Sequence, residues 1–472
     1  MTFQLLLAHS GSGRPVLEEG LPWEAFADAL APAPVPIPSH LHNFAGPPDQ
    51  LREQRWALLV PDTPRGRAVE VRLARLCELR SQEQGAPVET YRVPPGMDAV
   101  QADDFRVRTL HAWSRPERDH ARYVLLAGGL DELSLELHTS LVEDGGCFVG
   151  RLAFDEEADY SSYVEKVLAH TCVSEPHQRA RAVFLAVNDM SLATRMGQRN
   201  LVAPTVERCR EEHGQNHFPA SELLEETLPE GGLERLLEVA GAAVPSLLFT
   251  MSHGLGAPEG GWSSALAQRQ GQGNMYMGGG VVLTPEELRR RPFLPGGVWF
   301  YFACFGAGTP LQSVYEPWMK QFVESGKASP RILESIRRSR PQDGRSFSAA
   351  LPQAALANPE GPLAVIAHLD MAWIHAFHDV LTGQSHAYRL ESVMTKLLQG
   401  YRAGVSLQML LRHAGQLDAQ LSRHYQQDAV KPSKDPLPLD VRIERARLWM
   451  ERHDVTRYVL LGDPAVRLVT PG

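Results

Sequence analysis

The chain alternates between short, uninterrupted apolar runs and longer segments whose apolar residues recur at helical spacing. An unbroken apolar run of strand length is typical of a strand buried on both faces, as in a parallel sheet. The runs that predict strands cover residues 56–60, 88–93, 123–127, 147–152, 182–189, 247–253, 298–304, 362–368 and 458–461. The segments that predict helices cover residues 66–79, 131–142, 159–169, 203–212, 233–239, 311–322 and 390–413, with one more opening at Thr284.

This alternation predicts an α/β protein whose mostly parallel sheets are covered by helices. Thr284 and Glu287 form a capping box, and Pro285 between them suits the first position of a helix. A new series of strands begins at residue 182, so we expect two successive α/β/α units.

The N-terminal segment follows neither period. Residues 31–38 read Ala-Pro-Ala-Pro-Val-Pro-Ile-Pro, which is typical of an extended arm or linker. We therefore expect three parts: a proline-rich arm over residues 1–50, a first α/β unit over 51–175 and a second over 176–472. The polar stretches 337–345 and 431–438 are predicted to be exposed loops.

Composition narrows the class of protein. The chain has 472 residues, is 43% hydrophobic and carries a formal net charge of −9, without a basic stripe that would indicate direct nucleic-acid binding. No signal peptide or membrane-spanning run is recognised, so we expect a cytoplasmic protein that does not contact a membrane. Five cysteines are scattered without C-x-x-C spacing, which predicts neither a disulfide framework nor a metal site: Cys77, Cys147, Cys172, Cys209 and Cys304.

Two of the predicted strands end on chemically capable side chains. His253 and Cys304 each close an apolar run and are followed by glycine, so we expect both at the same edge of one sheet. An imidazole can activate a thiol and later protonate a leaving amine. The backbone N–H groups of Gly254 and Cys304 could hold the oxyanion of a tetrahedral intermediate. Either residue alone would more often be ordinary packing, but their conjunction favours a catalytic dyad.

The same segments resemble a known family. Ser252-His253-Gly254 and residues 303–308, Ala-Cys-Phe-Gly-Ala-Gly, are similar to the His-Gly and Ala-Cys-x-Gly signatures of the caspase-like cysteine peptidases. Residues 150–154 with 163–168, residues 361–373 and residues 461–468 resemble landmarks of the gingipain-like branch, and the chain is also similar to the related bacterial caspase-like proteases of the same clan. The resemblance covers residues 56–468 and implies a caspase-like fold in which a non-catalytic unit precedes the catalytic one.

The resemblance also implies roles for single residues. His253 would be the general base and acid, and Cys304 the nucleophile. Asp189, at the end of the first strand of the second unit, would lie near the pocket for the residue before the scissile bond and favour arginine or lysine there. Trp373 would be a wall of that pocket, and Asp370 is an alternative acidic determinant. Two alternatives stay open, namely that Asp189 is an ordinary turn residue and that Trp373 is an ordinary packing residue. No residue that orients His253 is identified.

The expected function is therefore a cysteine endopeptidase that cleaves a protein or peptide substrate without a cofactor or metal. Regulation by an activating protein partner or a cleavage event, and a role in antiviral defence or cell death, are implied by the resemblance alone. The alternative is an inactive caspase-like scaffold that binds a partner protein. A nucleotide-binding enzyme is disfavoured, because no G-x-G-x-x-G or Walker-type loop follows the first strand of either unit.

Overall fold

The computed structural model describes residues 2–3, 21–22, 46–112, 114, 119–173, 179–324, 326, 329–378, 383–430 and 438–468. Most of the predicted arm over residues 1–50, and nearly all of the predicted loop over 431–438, lie outside the described residues. The chain divides into two compact units, residues 1–36 with 416–449 and residues 37–415 with 450–472.

The strands are numbered along the described residues. They are β1 (Thr2–Phe3), β2 (Leu21–Pro22), β3 (Trp56–Pro61), β4 (Glu89–Val93), β5 (Tyr123–Ala127), β6 (Phe148–Leu152), β7 (Arg181–Val187), β8 (Leu223–Leu228), β9 (Ser246–Met251), β10 (His253–Gly254), β11 (Met275–Gly278), β12 (Val281–Leu283), β13 (Val298–Phe302), β14 (Gly308–Thr309), β15 (Phe347–Ser348), β16 (Ala364–His368) and β17 (Tyr458–Gly462).

The helices are numbered in the same way. They are α1 (Leu51–Gln54), α2 (Pro64–Arg72), α3 (Ala74–Gln84), α4 (Ala99–Phe105), α5 (Leu135–Val142), α6 (Glu157–Val173), α7 (Leu192–Gly197), α8 (Ala203–Gly214), α9 (Leu233–Ala240), α10 (Ala265–Gly271), α11 (Pro285–Arg290), α12 (Glu316–Glu324), α13 (Pro330–Arg338), α14 (Ala350–Ala357), α15 (Tyr388–Leu398), α16 (Ala403–Val430) and α17 (Leu439–Val455).

One ten-stranded sheet forms the centre of the larger unit, in the order β4-β3-β5-β6-β17-β16-β13-β9-β7-β8. Neighbouring strands are parallel throughout, except that β17 is antiparallel to β16. The sheet therefore has two parallel halves that run in opposite directions and meet where β17 pairs with β16. The expected α/β class with a mostly parallel sheet is confirmed, and the structure joins the two expected sheets into one.

The inner strands are buried on both faces, which explains their unbroken apolar sequences. All five residues of β13 are buried, as are all six of β9. On one face the ring of Phe300 lies 5.6 Å from that of Phe249, and on the other Trp299 donates a hydrogen bond to Thr250 over 2.8 Å. The edge strands β4 and β8 are more exposed, and their sequences are correspondingly mixed.

Two predicted helices prove to be pairs of helices. The predicted helix over 66–79 is divided at Leu73 into α2 and α3, and the one over 390–413 is divided into α15 and α16. Gly400 lies between α15 and α16 with a φ of +81°, a left-handed conformation that glycine adopts readily and that ends helices. The single-helix predictions were wrong at these points.

The described residues of the smaller unit are the short antiparallel pair of β1 and β2 and parts of two helices. The last residues of α16 from Gln416 onward and the first residues of α17 up to Trp449 belong to it. Leu417, Leu421 and Leu448 form a small buried cluster there, against which Trp449 packs. Across all described residues, no helix has the length and apolar character needed to cross a membrane.

A small antiparallel sheet, β10-β11-β12, extends the chain beyond β9. The glycine-rich segment between β10 and β11 contains α10, whose Gln268 is buried, as is Gln272 just after it. Gln268 Nε2 donates to the carbonyl oxygens of Ser339 and Arg340, and Gln272 Nε2 donates to Ser339 and to Thr309 Oγ1. These buried amide contacts fix the segment against the loop after α13.

Candidate active site

His253 and Cys304 occupy equivalent positions on neighbouring strands. β9 and β13 are parallel and in register up to the pair Met251 and Phe302, and the Ser252 N–H continues the pairing by donating to the Phe302 carbonyl over 3.2 Å. Each candidate residue lies two positions beyond that last pair. Because adjacent strands are only about 4.8 Å apart, the two residues leave the sheet side by side.

Gly254 is in direct contact with the backbone of Cys304. A Cβ atom built on Gly254 would lie 1.9 Å from the Cys304 carbonyl oxygen and 3.0 Å from its nitrogen. No side chain fits in that space, so the close approach of the two strand ends requires glycine at this position.

The imidazole of His253 is held on one side by the segment after β7. Its Nε2 lies 3.0 Å from Ser191 Oγ and 3.5 Å from Asp189 Oδ2. The His253 side chain is 43% exposed, whereas that of Asp189 is only 4% exposed. Within the described residues no hydrogen bond reaches Nδ1, the other ring nitrogen.

Asp189 is part of a local hydrogen-bond network. Its Oδ1 accepts from Thr194 Oγ1 over 2.7 Å and from the Ser191 N–H over 3.0 Å. Burial alone would raise the pKa of Asp189, but the bonds from Thr194 and Ser191 and the nearby His253 outweigh it and lower the pKa below its ordinary value. The carboxylate is therefore ionised at neutral pH and lies beside the imidazole.

The Cys304 thiol is half-buried, and its Sγ lies 3.8 Å from the carbonyl oxygen of Ala372. Burial raises the pKa of this thiol to about 11, with Asp370 and Asp454 acting in the same direction. The next residue, Phe305, has a φ of +56°, so the chain turns sharply after the thiol. The thiol is thus protonated at neutral pH and needs a base to become a nucleophile.

The segment after β16 lies against the Cys304 turn. The Phe305 N–H donates to the Asp370 carbonyl over 2.7 Å, and the Ala307 N–H donates to His368 over 2.9 Å. Asp370 is fully buried with a φ of +85°, and its carboxylate accepts from the N–H groups of Val314 and Met371. Burial raises the pKa of Asp370.

Trp373 lies farther along the same segment and is half-buried. Its backbone N–H donates to Asp454 Oδ1 over 2.9 Å, and its ring lies 5.6 Å from the ring of Tyr315. The ring also packs against a small buried cluster formed by Met319, Leu333 and Ile336 of α12 and α13. Trp373 therefore joins those helices to the segment beside the thiol.

The site residues proposed from the sequence all follow the ends of four consecutive strands of the sheet, β7, β9, β13 and β16. Asp189 lies on the His253 side, whereas Asp370 and Trp373 lie on the far side of Cys304. The contacts of Ser191 and Thr194 were not foreseen, although a Ser and a Thr two and five residues after a strand-end Asp are a recognisable turn signal. Glu259, which is close to His253 in sequence, is exposed.

The described residues contain no group of three or more His, Cys, Asp or Glu side chains that could hold a metal ion. What the strand ends bring together is a thiol, an imidazole and a carboxylate, which is a donor set suited to nucleophilic and acid-base chemistry.

Comparison with known proteins supports the fold. No protein-family model and no curated protein sequence matches the chain. A solved structure described as "Structure of Protease" is 12% identical, covers 88% of this chain and 78% of its own, and superposes with a TM-score of 0.50. The Arg-specific cysteine proteinase gingipain R is 12% identical with a TM-score of 0.45, covering 88% of this chain and 78% of its own. The complex of Porphyromonas gingivalis RgpB pro- and mature domains is 11% identical with a TM-score of 0.44, covering 88% of this chain and 79% of its own.

Because the sequence identities are this low, the similarity concerns the fold alone, and it rests on the first of these structures. The chain has a mixed α/β fold with a large, mostly parallel central sheet, and over 88% of its length it is similar in fold to that first structure.

Proposed function

We propose that the protein is a cysteine endopeptidase in which Cys304 is the nucleophile and His253 transfers the protons. The observation that carries this proposal is the in-register emergence of the two residues from adjacent parallel strands, with Gly254 in contact with the Cys304 backbone. That arrangement lets a substrate carbonyl approach the thiol and the imidazole together.

The reaction begins with a protonated thiol. Nε2 of His253 is engaged by Ser191 and Asp189, so Nδ1 is the nitrogen that takes the Cys304 proton as Sγ attacks the substrate carbonyl carbon. The resulting imidazolium is stabilised by the ionised Asp189. It then gives its proton to the leaving amine, and the acyl group stays on Sγ as a thioester that water hydrolyses with His253 again acting as the base.

The oxyanion would be held by the N–H groups of Gly254 and Cys304. Bonded and non-bonded pairs alternate in an antiparallel sheet. The Leu255 N–H donates to the Asn274 carbonyl over 3.0 Å, so Leu255 and Asn274 are a bonded pair. The preceding pair of the two strands, Gly254 with Met275, is therefore a non-bonded pair. The Gly254 N–H then points away from β11. No hydrogen bond from the Cys304 N–H to another described residue occupies the second donor.

This geometry favours an orienting role for Asp189 over a role in the substrate pocket, because its carboxylate already serves Thr194, Ser191 and His253. A preference for arginine or lysine before the scissile bond, with Asp370 and Trp373 at that pocket, remains part of the proposal. So do an activating partner and a role in antiviral defence, which rest on the resemblance alone.

The test is turnover of an internally quenched peptide library together with labelling by a covalent thiol probe. Cys304→Ala is expected to lower kcat/KM at least about 10³-fold, because the nucleophile is lost. Cys77→Ser is the matched control, since Cys77 is another half-buried thiol and lies in α3. Equal turnover by wild type and Cys304→Ala would overturn the proposal, and a folded but inactive wild type that the probe never labels at Cys304 would favour the scaffold alternative.

A further inference from the structure

The proposed chemistry gives the site a direction. The imidazole protonates the leaving amine, so the part of the substrate after the scissile bond departs on the His253 side of the thiol. Cys304 follows the end of β13, His253 follows the end of β9, and β7 lies next to β9 in the sheet. The segment of substrate after the scissile bond therefore runs toward the residues that follow β7.

Three large apolar side chains are exposed at that place. Met190 is 65% exposed, Leu192 is 67% exposed and Met196 is 40% exposed. Leu192 and Met196 are four residues apart, which puts them on the same face of α7. We refer to Met190, Leu192 and Met196 as the apolar shelf.

The shelf is continuous with the proposed catalytic residues. Ser191, between Met190 and Leu192, has its Oγ 3.0 Å from His253 Nε2. The Ser191 N–H donates to Asp189 Oδ1 over 3.0 Å, and the Met190 N–H donates to Asn188 Oδ1 over 3.2 Å. These bonds hold the backbone of Met190 and Leu192 against the residues that position the imidazole.

The backbone at Met190 is itself unfavourable for methionine. Its φ is +66°, a left-handed conformation in which glycine or asparagine is the physical expectation. Its side chain is nevertheless 65% exposed, so burial of the methionine does not account for this backbone conformation. A flexible thioether side chain displayed beside a site is suited to contact an apolar partner.

Building on the proposed function, we infer that the apolar shelf is a subsite for a large apolar side chain of the substrate, close after the scissile bond. The occupant is the leaving segment of a polypeptide, because only that segment passes over His253 toward β7. The enzyme then prefers leucine, methionine or phenylalanine over serine or aspartate immediately after the scissile bond.

The test uses two internally quenched peptides that share the segment before the scissile bond, taken from the best library substrate, and carry leucine or serine immediately after it. Wild type is expected to favour the leucine peptide by about tenfold in kcat/KM. Met190→Asn, which suits the positive φ, and Leu192→Ser are each expected to reduce this ratio to about twofold. Val100→Ser is the matched control, because Val100 is 79% exposed in α4 and should leave the ratio at its wild-type value.

A second measurement starts from the acyl-enzyme. A peptidyl methyl ester with the same acyl segment forms the thioester and releases methanol, and an added amine then competes with water for the acyl group. Leucinamide is expected to capture more acyl group than serinamide in wild type, and this difference is expected to shrink in both shelf variants.

The outcomes separate the two proposals. A leucine-to-serine ratio near one in wild type, or a wild-type ratio in both shelf variants with unchanged thermal midpoints, overturns the shelf while the peptidase stands. If wild type turns over neither the peptides nor the ester, the proposed function fails and the shelf fails with it.

Discussion

The carboxylate of Asp189 is buried beside the imidazole of His253, where it can act on the proposed catalytic base. From the sequence it is a candidate for the pocket, because it ends the first strand of the second unit. In the structure its Oδ2 lies 3.5 Å from His253 Nε2. The two roles make different kinetic predictions.

Asp189→Asn is expected to lower kcat on the order of 10²-fold with little change in KM. The physical reason is that the imidazolium loses the anion that stabilises it, and the effect is smaller than for a fully enclosed triad because the His253 side chain is 43% exposed. Ser191→Ala, which removes one neutral contact to Nε2, is expected to cost about tenfold. Steady-state kinetics on peptides with arginine or alanine before the scissile bond check this. Loss confined to KM for the arginine peptide would instead return Asp189 to the pocket.

The protonation state of Cys304 is a second residue-level prediction. Because burial raises its pKa to about 11, roughly one molecule in 10⁴ carries the thiolate at pH 7. The thiolate forms as pH rises, so alkylation of Cys304 by iodoacetamide in the resting enzyme should increase about tenfold per pH unit until about pH 11. Mass spectrometry of the labelled protein measures it, with Cys304→Ala as the background. A midpoint below pH 8 would show a preformed thiolate and imidazolium pair, contrary to the proposed mechanism.

At the element scale, the local signals in the sequence were sufficient for the buried strands but not for all elements. β7, β9, β13 and β16 are buried on both faces, so their apolar runs mark them without further information. β8, with the sequence Leu-Leu-Glu-Glu-Thr-Leu, is an edge strand whose two glutamates form ion pairs with arginines. Because these glutamates interrupt the apolar sequence, the apolar-run criterion missed this strand. The contact of Gly254 with Cys304 could not be predicted either, because it depends on which strands are neighbours.

Gly254→Ala tests that contact. The added Cβ would lie 1.9 Å from the Cys304 carbonyl oxygen, so one strand end has to move. We expect a loss of about 1–3 kcal/mol in the free energy of unfolding, as for overpacking, and a loss of turnover because the oxyanion donors shift. Gly260→Ala is the matched control in the same segment, since its Cβ would meet no atom within 4 Å. Denaturant unfolding and kcat/KM measure both effects, and equal behaviour of the two variants would contradict the contact.

At the scale of the whole molecule, the sequence indicated two series of strands, and the structure shows how they are united. The strand that unites them is β17, the last of the described strands, which pairs with β16 on one side and β6 on the other. The pairings of β17 join residues that are far apart in sequence, by 98 positions between Ala364 and Gly462 and by 310 between Gly150 and Leu460. Local periodicity carries no information on such pairings, so the single sheet with opposed halves could not be read from it.

The end of β17 is also secured by a buried charge. Asp463 is fully buried, and its carboxylate accepts from Arg80 Nε over 2.8 Å and from Trp56 Nε1 over 2.9 Å. Arg80 lies in α3 and Trp56 in β3, so the contact ties the joining strand to the first half of the sheet. Arg80 also pairs with Glu83, whose side chain is 25% exposed, so removing Asp463 leaves the buried guanidinium only partly compensated.

Asp463→Ala is therefore expected to lower the free energy of unfolding by about 3–5 kcal/mol. Glu286→Ala, which breaks the exposed pair of Glu286 with Arg290, should cost less than about 1 kcal/mol. The double variant Arg80→Met with Asp463→Leu should be less destabilised than Asp463→Ala, because the buried guanidinium, which would otherwise have lost part of its compensation, is removed as well. Denaturant unfolding of the three variants decides the matter. If Asp463→Ala were no more costly than Glu286→Ala, the first half of the sheet would be held to β17 by apolar packing alone.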